Sequence, residues 1–448
     1  MDVVAPSSVN YQDQLPLGIE AKSHRREFFP STGDSYSDTT TNIIRIDLSY
    51  DGFLDTSQSY LTFDFINTST KNMKLDLGQP VIKKLTVSSG GVVLEEIQNY
   101  NQLVGGVLIP SQAGTGNIHE QGLNGCIGAG GDTKPVTSGQ YNQCSSDETA
   151  YDGSNATAIL AGAAAGGATT TIKCCYKLVS GLLDNDKYIP LNLLNSGLQI
   201  EILLAPGNEI GVSTHSGPVN LKYDIKNVRY AAHLIDLSRE FTDRLRAVQQ
   251  ASGGNLSIAG TSFRSFTGKF DANSSHQSIN IPCRVRSIKS VFWKLSKDPS
   301  NILYNLSCGG HGNMSQYQLK IGAVNYPPTA VEVNTLTNKI TPYLELQKAF
   351  GKLGSTVHSD LLGSGSYLTA ETASLSANGG VFQFAPFGID LESFRHQIEN
   401  GIDSASRALP MSLELTTSGT NTAATTHIFV MYDSMFYVNI DGSMKVSS

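Results

Sequence analysis

Residues 42–65 read NIIRIDLSYDGFLDTSQSYLTFDF and alternate with a period of two. Ile44, Ile46 and Leu48 are interleaved with Arg45 and Asp47; Leu61, Phe63 and Phe65 are interleaved with Thr62 and Asp64. Successive side chains of a strand point to opposite faces, so this pattern makes one face apolar and the other wet. The same period recurs at Leu198, Ile200, Ile202 and Leu204, and Ser262–Phe270, Ser278–Ile281 and Ser287–Lys294 also read as strands. Strands are also predicted at Cys174–Val179, Leu221–Leu234 and Val381–Phe384. Val81–Leu94 holds two apolar runs around Ser88-Ser89-Gly90-Gly91, a hairpin signal. Many half-buried strands in one chain must bury their apolar faces on one another, which predicts an all-β protein.

The strand pattern repeats. In the first half Cys174–Val179 is followed by LQIEILLAPG and then LKYDIKNVRYAAHLI; in the second, VFQF is followed by LPMSLELTTSG and then HIFVMYDSMFYVNI. The order of elements recurs while residue identity between the halves is negligible. A chain of 448 residues is too long for one ordinary core, which also favours two domains. Between them lies SREFTDRLRAVQQ, residues 238–250, with Phe241, Leu245 and Val248 at helical spacing. Ser238 can cap its start, and Gly253-Gly254 follow its end. Shorter helices are expected after the hairpin, through Ile97, Tyr100 and Val104, and from Thr341-Pro342 through Leu346 and Phe350. The expected layout is an N-terminal arm over 1–40, a first β domain over 41–237 with a Gly- and Ala-rich insertion at about 105–173, a linker helix over 238–254, and a second β domain over 255–448. Residues 353–379 read as a Ser- and Gly-rich loop.

Charged residues make up only 16 % of the chain, against about 25 % in typical soluble domains. A free monomer usually carries a well-charged surface; a protein packed against copies of itself needs less. The net charge of −7 argues against chain-wide nucleic-acid binding. The local exception is Lys22-Ser-His24-Arg25-Arg26, where Lys22, Arg25 and Arg26 could touch nucleic acid or an acidic partner; the plainer reading is a solvated arm. The opening residues show no basic-then-apolar leader pattern, and no window reads as a membrane span.

Asp47, Asp51 and Asp55 stand four apart, a spacing that can suggest a cation site. On the strands, however, Asp47 points away from the apolar face, Asp51-Gly52 is a turn dipeptide, and Asp55 reads as loop. Glu95-Glu96 are expected to cap the start of the helix-like stretch. The histidines show no H-E-x-x-H, no G-x-S-x-G elbow is present, and Gly363-Ser-Gly365 lacks the context of a nucleotide loop. Cys126, Cys144, Cys174, Cys175, Cys283 and Cys308 include no C-x-x-C pair, so free thiols are expected rather than a zinc site. The sequons at Asn67, Asn273 and Asn305 read as chance in an Asn-, Ser- and Thr-rich chain. The expectation is a non-enzyme with no catalytic residue, no cofactor and no metal.

The segments NIIRIDLSYDGFLDTSQSYLTFDF, VIKKLTVSSGGVVLEEIQNYNQL, NDKYIPL, INIPCRVRSIKSV, LELQKAFGKLGS, ENGIDSASRALPMSLELTT and VMYDSMFYVNIDG, taken in order, resemble major capsid proteins of polinton-like viruses, within the double jelly-roll lineage of tectivirus and adenovirus capsids. The resemblance implies two consecutive jelly-roll β-sandwich domains with a few short helices and long loops. It further implies pseudo-hexagonal homotrimers tiling an icosahedral virion, towers built from the long loops, an arm toward the interior, and assembly inside the host cell. The implied partners are the chain itself, neighbouring capsomers and a penton or minor capsid protein, with weak or no direct nucleic-acid contact. The competing readings are a lectin-like carbohydrate-binding β-sandwich and a surface-layer protein. A lectin would show exposed aromatics or a calcium site, whereas the sole tryptophan, Trp293 in VFWKL, reads as core.

Overall fold

The computed structural model describes residues 21–69, 73–75, 78–112, 171–213, 221–251, 253–296, 306, 309–334, 337–353, 362, 367–368, 385–394, 400–405, 409–418 and 423–448. The first half holds β1 (Ala21–Phe28), β2 (Ser35–Ser37), β3 (Ile43–Leu48), β4 (Phe53–Asn67), β5 (Met73–Leu75), β6 (Ile82–Ser89), β7 (Val92–Gln98), β8 (Thr171–Tyr176), β9 (Ile189–Pro190), β10 (Leu198–Leu204), β11 (Gly211–Ser213) and β12 (Tyr223–Leu237). A helix at Arg239–Ala251 leads to the second half: β13 (Asn255–Phe270), β14 (His276–Asn280), β15 (Ile288–Ser296), β16 (Met314–Ile321), β17 (Val324–Glu332), β18 (Phe387–Asp390), β19 (Met411–Thr417), β20 (Ala424–Asn439) and β21 (Met444–Ser447).

In the first half one sheet runs β1-β12-β4-β8, joined by β2 and β9, and the other runs β3-β10-β6-β7. In the second half the sheets run β13-β20-β15-β18, joined by β21, and β14-β19-β16-β17. Setting aside the short additions β2, β5, β9, β11 and β21, both halves place their strands in the orders 1-8-3-6 and 2-7-4-5. Two four-stranded antiparallel sheets connected in that way form a jelly roll. The pattern repeat read from sequence is therefore a repeat of topology.

The alternation explains the strands. Along β10 the burial of Leu198–Leu204 alternates residue by residue, and β19 does the same over Met411–Thr417. In both cases one face looks into a sandwich and the other toward water. The hairpin β6–β7 turns on Gly90 and Gly91, whose φ angles of 57° and 81° suit the tight primed turns that fit twisted strands. In the second core Trp293 is fully buried, edge-on to Tyr317 at 4.8 Å and stacked on Phe387 at 5.6 Å.

Several boundaries differ from the sequence expectation. The arm expected over 1–40 is a paired strand from Ala21: β1 runs antiparallel to β12 from Ala21↔Leu237 to Phe28↔Tyr230. Ala21–Arg26 are exposed, so this edge strand is polar on both sides and carries no alternation to read. The insertion expected at about 105–173 is helical up to Gln112, as Tyr100–Leu103, a wider π-turn at Val104–Leu108 and Ile109–Gln112; it is strand again from Thr171. Asp55, expected in a loop, lies in β4 and is buried. The ladder skips from Tyr60↔Ala231 to Asp55↔His233, so DTSQS is a bulge inside a strand. There the Asp55 carboxylate accepts hydrogen bonds from Ser57 N (3.0 Å) and Ser57 Oγ (2.6 Å). Residues 1–20, 113–170, Val381–Phe384 and most of 353–379 lie outside the described residues, as do Cys126, Cys144, Cys308 and Asn305.

Trp293→Ala is expected to destabilise the second jelly roll by about 3–5 kcal/mol through the cavity it leaves. Denaturant unfolding followed by circular dichroism measures that loss. The wild-type protein's tryptophan emission, buried and blue, should shift red in the same transition.

Candidate assembly site and the seam between the halves

The two jelly rolls meet along a seam built from β7, the helical stretch after it, and the turn after β8 on one side, with β13 and β15 on the other. Glu95 lies at its centre. Glu95 and Glu96, expected at a helix N-terminus, both stand in β7, with Glu95 paired to Val87 and Glu96 to Thr86 across the ladder. Glu96 points outward near Lys84, 3.7 Å away. Glu95 points inward and is only 3 % exposed. Its carboxyl accepts hydrogen bonds from Ser180 Oγ, from Gly181 N at 2.9 Å, and from Ser262 Oγ. Ser180 and Gly181 belong to the turn after β8, and Ser262 belongs to β13 in the other half. One buried carboxyl thus ties three segments together.

The donor set restricts what can stand there. Ser180 Oγ already accepts from Leu182 N (3.2 Å) and Leu183 N (3.1 Å), so its own proton must go to Glu95. Gly181 N can only donate. Ser262 Oγ alone can reverse and accept a proton from the acid form. Burial comes first among the influences on this group and pushes its pKa above the ordinary carboxyl range, while the hydrogen bonds from Ser180, Ser262 and Gly181 oppose it.

Close backbone packing surrounds the carboxyl. A Cβ on Gly260 of β13 would lie 2.1 Å from the carbonyl oxygen of Gly181, so the two chains approach as only glycine allows. Asn185 Nδ2 donates to Ala259 O (2.6 Å) and Gly181 O (3.1 Å). Asn99 Nδ2 donates to Ser265 Oγ (3.1 Å) and Thr267 Oγ1 (3.3 Å). Gly106, in the π-turn, leaves room for the buried Lys294 of β15, whose Nζ donates to Leu306 O. At the linker-helix end Asn195 Nδ2 donates to Asp441 O, and Asn195 N to Gly442 O at 3.1 Å. A cleft of about 450 Å³ opens beside the seam, lined by residues including Asp184, Asp186 and Lys289. Lys289 is held by Glu392 (3.0 Å) and Asp433 (3.4 Å).

The basic cluster has a definite setting. Lys22, Arg25 and Arg26 project from the exposed edge strand β1. Arg25 donates to Glu27 (2.9 Å) and to the Tyr60 hydroxyl (2.8 Å), and Glu27 also accepts from Arg229 at 3.0 Å. The Arg25 hydrogen bond comes first in holding Glu27 below the usual carboxylate range. Arg26 lies over the rings of Phe28 and Tyr50 at 5.1 and 5.7 Å. Part of this charge is therefore compensated, and the side chains are laid along the sheet.

The other singled-out residues are dispersed. Asp47 accepts from Gln199 Nε2 at 2.7 Å on the outer face of β3, Asp51 sits in the turn that follows, and Asp55 faces inward, so the aspartates do not converge. Among the described residues no group of three or more His, Cys, Asp or Glu side chains could hold a metal ion. His311 and His427 are buried, and burial lowers their pKa to about 4 and about 3, which makes them neutral core residues. Cys174 and Cys283 are buried free thiols. Asn67 is fully buried at the end of β4, which closes its sequon to modification.

No family model matches the sequence, and no curated protein does. Solved structures do. The chain is similar to the mavirus major capsid protein at TM-score 0.52 and 11 % identity, covering 100 % of this chain and 96 % of that one. It is similar to the Faustovirus major capsid protein at 0.53 and 8 %, covering 95 % and 92 %. It is also similar to a chain of the PBCV-1 virus capsid at 0.56 and 10 %, covering 98 % and 99 %. The fold is the double jelly roll of viral capsid proteins. The likeness spans both halves of the chain, so the double jelly roll is matched as a whole and not as two separate sandwiches.

Glu95→Ala leaves three donors without an acceptor and is expected to cost about 3 kcal/mol or more in denaturant unfolding. A raised pKa in the folded state means that the Glu95 contribution is complete below the ordinary carboxyl value near 4.5 and is lost as pH rises through the folded-state pKa. The stability difference between wild type and Glu95→Gln should therefore shift against wild type as pH is raised from 4 to 8. A pH-independent difference would contradict the assignment.

Proposed function

We propose that this chain is a major capsid protein that assembles as a homotrimer and tiles an icosahedral virus shell. The double jelly roll, shared over almost the whole chain with proteins named as capsid proteins, supports this reading. The observation that carries it is an imbalance between the halves. Each jelly roll has an edge strand at the start of one sheet, β1 or β13, and on its other side a strand with a following helix, β7 with 100–112 or β17 with 340–349. Within the chain it is β7, together with the turn after β8, that meets β13. The helix after β7 is buried throughout Tyr100–Leu108, whereas Ile340 and Leu344 of Ile340–Ala349 are exposed, Ile340 by 59 %. β1 is exposed as well over Ala21–Arg26. Each copy thus keeps one used seam and one unused pair of matching faces, and three copies joined through the unused pair would offer six similar sandwiches around a ring.

On this reading the units are residues 21–237 and 255–448, with 238–254 between them. The work of the protein is mechanical: it buries surface between copies, on the order of 2,000 Å² or more for each lasting interface. It would act in the virion after assembly in the host cell, beside neighbouring capsomers and a penton or minor capsid protein, and it would carry out no reaction.

Native mass spectrometry of the purified protein at micromolar concentration should give a particle three times the 48.0 kDa of the chain. A monomer at every concentration would overturn the proposal.

A further inference from the structure

We propose that the turn Leu391–Phe394 of one copy docks on β1 of a second copy, with Phe394 packed against Arg25–Phe28. This rests on the capsid reading and names the surface through which the copies meet. It also gives the basic cluster at Lys22, Arg25 and Arg26 a role as a subunit contact in place of a nucleic-acid contact.

A template for this contact is already formed within the chain. There the turn that follows β8 packs on the first strand of the other jelly roll, with Gly181 against Gly260 and Asn185 on Ala259. β8 and β18 hold the same place in their halves: each pairs with the third strand, β4 or β15, at the outer edge of the first sheet. The counterpart of the turn after β8 is therefore the turn after β18, which begins at Leu391. The counterpart of β13 is β1, since each is an edge strand paired to the long last strand, β20 or β12. Counting back from the ends of those last strands puts Gly260 opposite Ser434 and Arg26 opposite Ala232, five residues from Asn439 and Leu237 respectively. The stretch of β1 that matches the heart of the seam is therefore Arg25–Phe28.

Both unused surfaces look prepared for contact. Phe394 is 66 % exposed, more than any other large apolar side chain among the described residues. Its turn is held firmly: Leu391 N donates to Lys289 O at 2.8 Å, Glu392 N to Asp390 Oδ1 at 3.1 Å, and the Glu392 carboxylate lies 3.0 Å from Lys289 Nζ. An aromatic side chain presented on a fixed turn binds at little entropic cost and is the kind of residue that dominates interfaces. On the other side the Arg26 guanidinium lies over the rings of Phe28 and Tyr50 and has no carboxylate partner among the described residues. A guanidinium laid on aromatic rings offers a broad face to a further ring. A nucleic acid would instead be met by free, extended cations, and Arg25 is already tied to Glu27 and Tyr60.

A photo-crosslinking phenylalanine analogue placed at 394 tests the contact directly. Illumination of the full-length protein should yield a crosslinked dimer on a denaturing gel, and peptide mapping should place the adduct within residues 21–29 of the other chain. An adduct elsewhere in a second chain, or only within the same chain, would overturn the inference. In parallel, Phe394→Asp and Arg26→Glu should each raise the concentration needed for oligomer formation about 30-fold or more, with the thermal midpoint of the monomer unchanged. The outcomes separate the two proposals. If wild type is monomeric, the capsid reading fails; if wild type is trimeric and both variants remain equally trimeric, the capsid reading stands and this docking surface is wrong.

Discussion

Two sandwiches on one chain are free to take any mutual orientation unless something buried between them is particular about its partners. Here that group is the Glu95 carboxyl, shut away from water and met by donors from the turn after β8 and from β13. Apolar contacts alone would tolerate sliding. A buried carboxyl does not, because each lost donor leaves a desolvated polar group. The contact between Gly181 and Gly260 then fixes the spacing, and Asn99 and Asn185 fix the register along β13. The exposed faces of β1, β17 and the helix Ile340–Ala349 follow from this arrangement, since a different seam would leave different faces open.

The same logic accounts for the low charge of the chain. On the proposed function the surface serves contact with copies, and three exposed apolar residues stand where a neighbour is expected. Ile340 and Leu344 stand on a helix whose counterpart is buried, and Phe394 stands on a turn whose counterpart is buried. The strand β1 carries its basic side chains along an edge whose counterpart is covered. Arginines laid over aromatic rings discourage uncontrolled strand addition along such an edge.

Much of the fold could be read in the sequence because strands that bury one face must alternate. β3, β10 and β19, the β6–β7 hairpin and the linker helix were all legible in this way. What failed to show was each element whose pattern is set by something other than a half-buried face. β1 is polar on both sides, and the bulge at DTSQS hides Asp55 inside a strand. Glu95 looked like a helix cap because an acidic residue beside a helix is usually solvated; nothing in its neighbours announced a buried acid whose donors lie 85 and 167 residues away. The seam was the least legible feature for the same reason, as it joins segments far apart in the chain. The capsid-protein fold is matched at 8–11 % identity, so this architecture depends more on the pattern of buried faces than on particular residues.

On the proposed function the seam inside one chain is the template for the contact between chains. Electron microscopy of the purified oligomer, viewed along its axis, tests this most directly. Six lobes related by a threefold axis are expected, with two alternating kinds of lobe joined by two alternating kinds of contact. A particle in which the first jelly roll of one copy meets the first jelly roll of another, or one with any number of copies other than three, would contradict it.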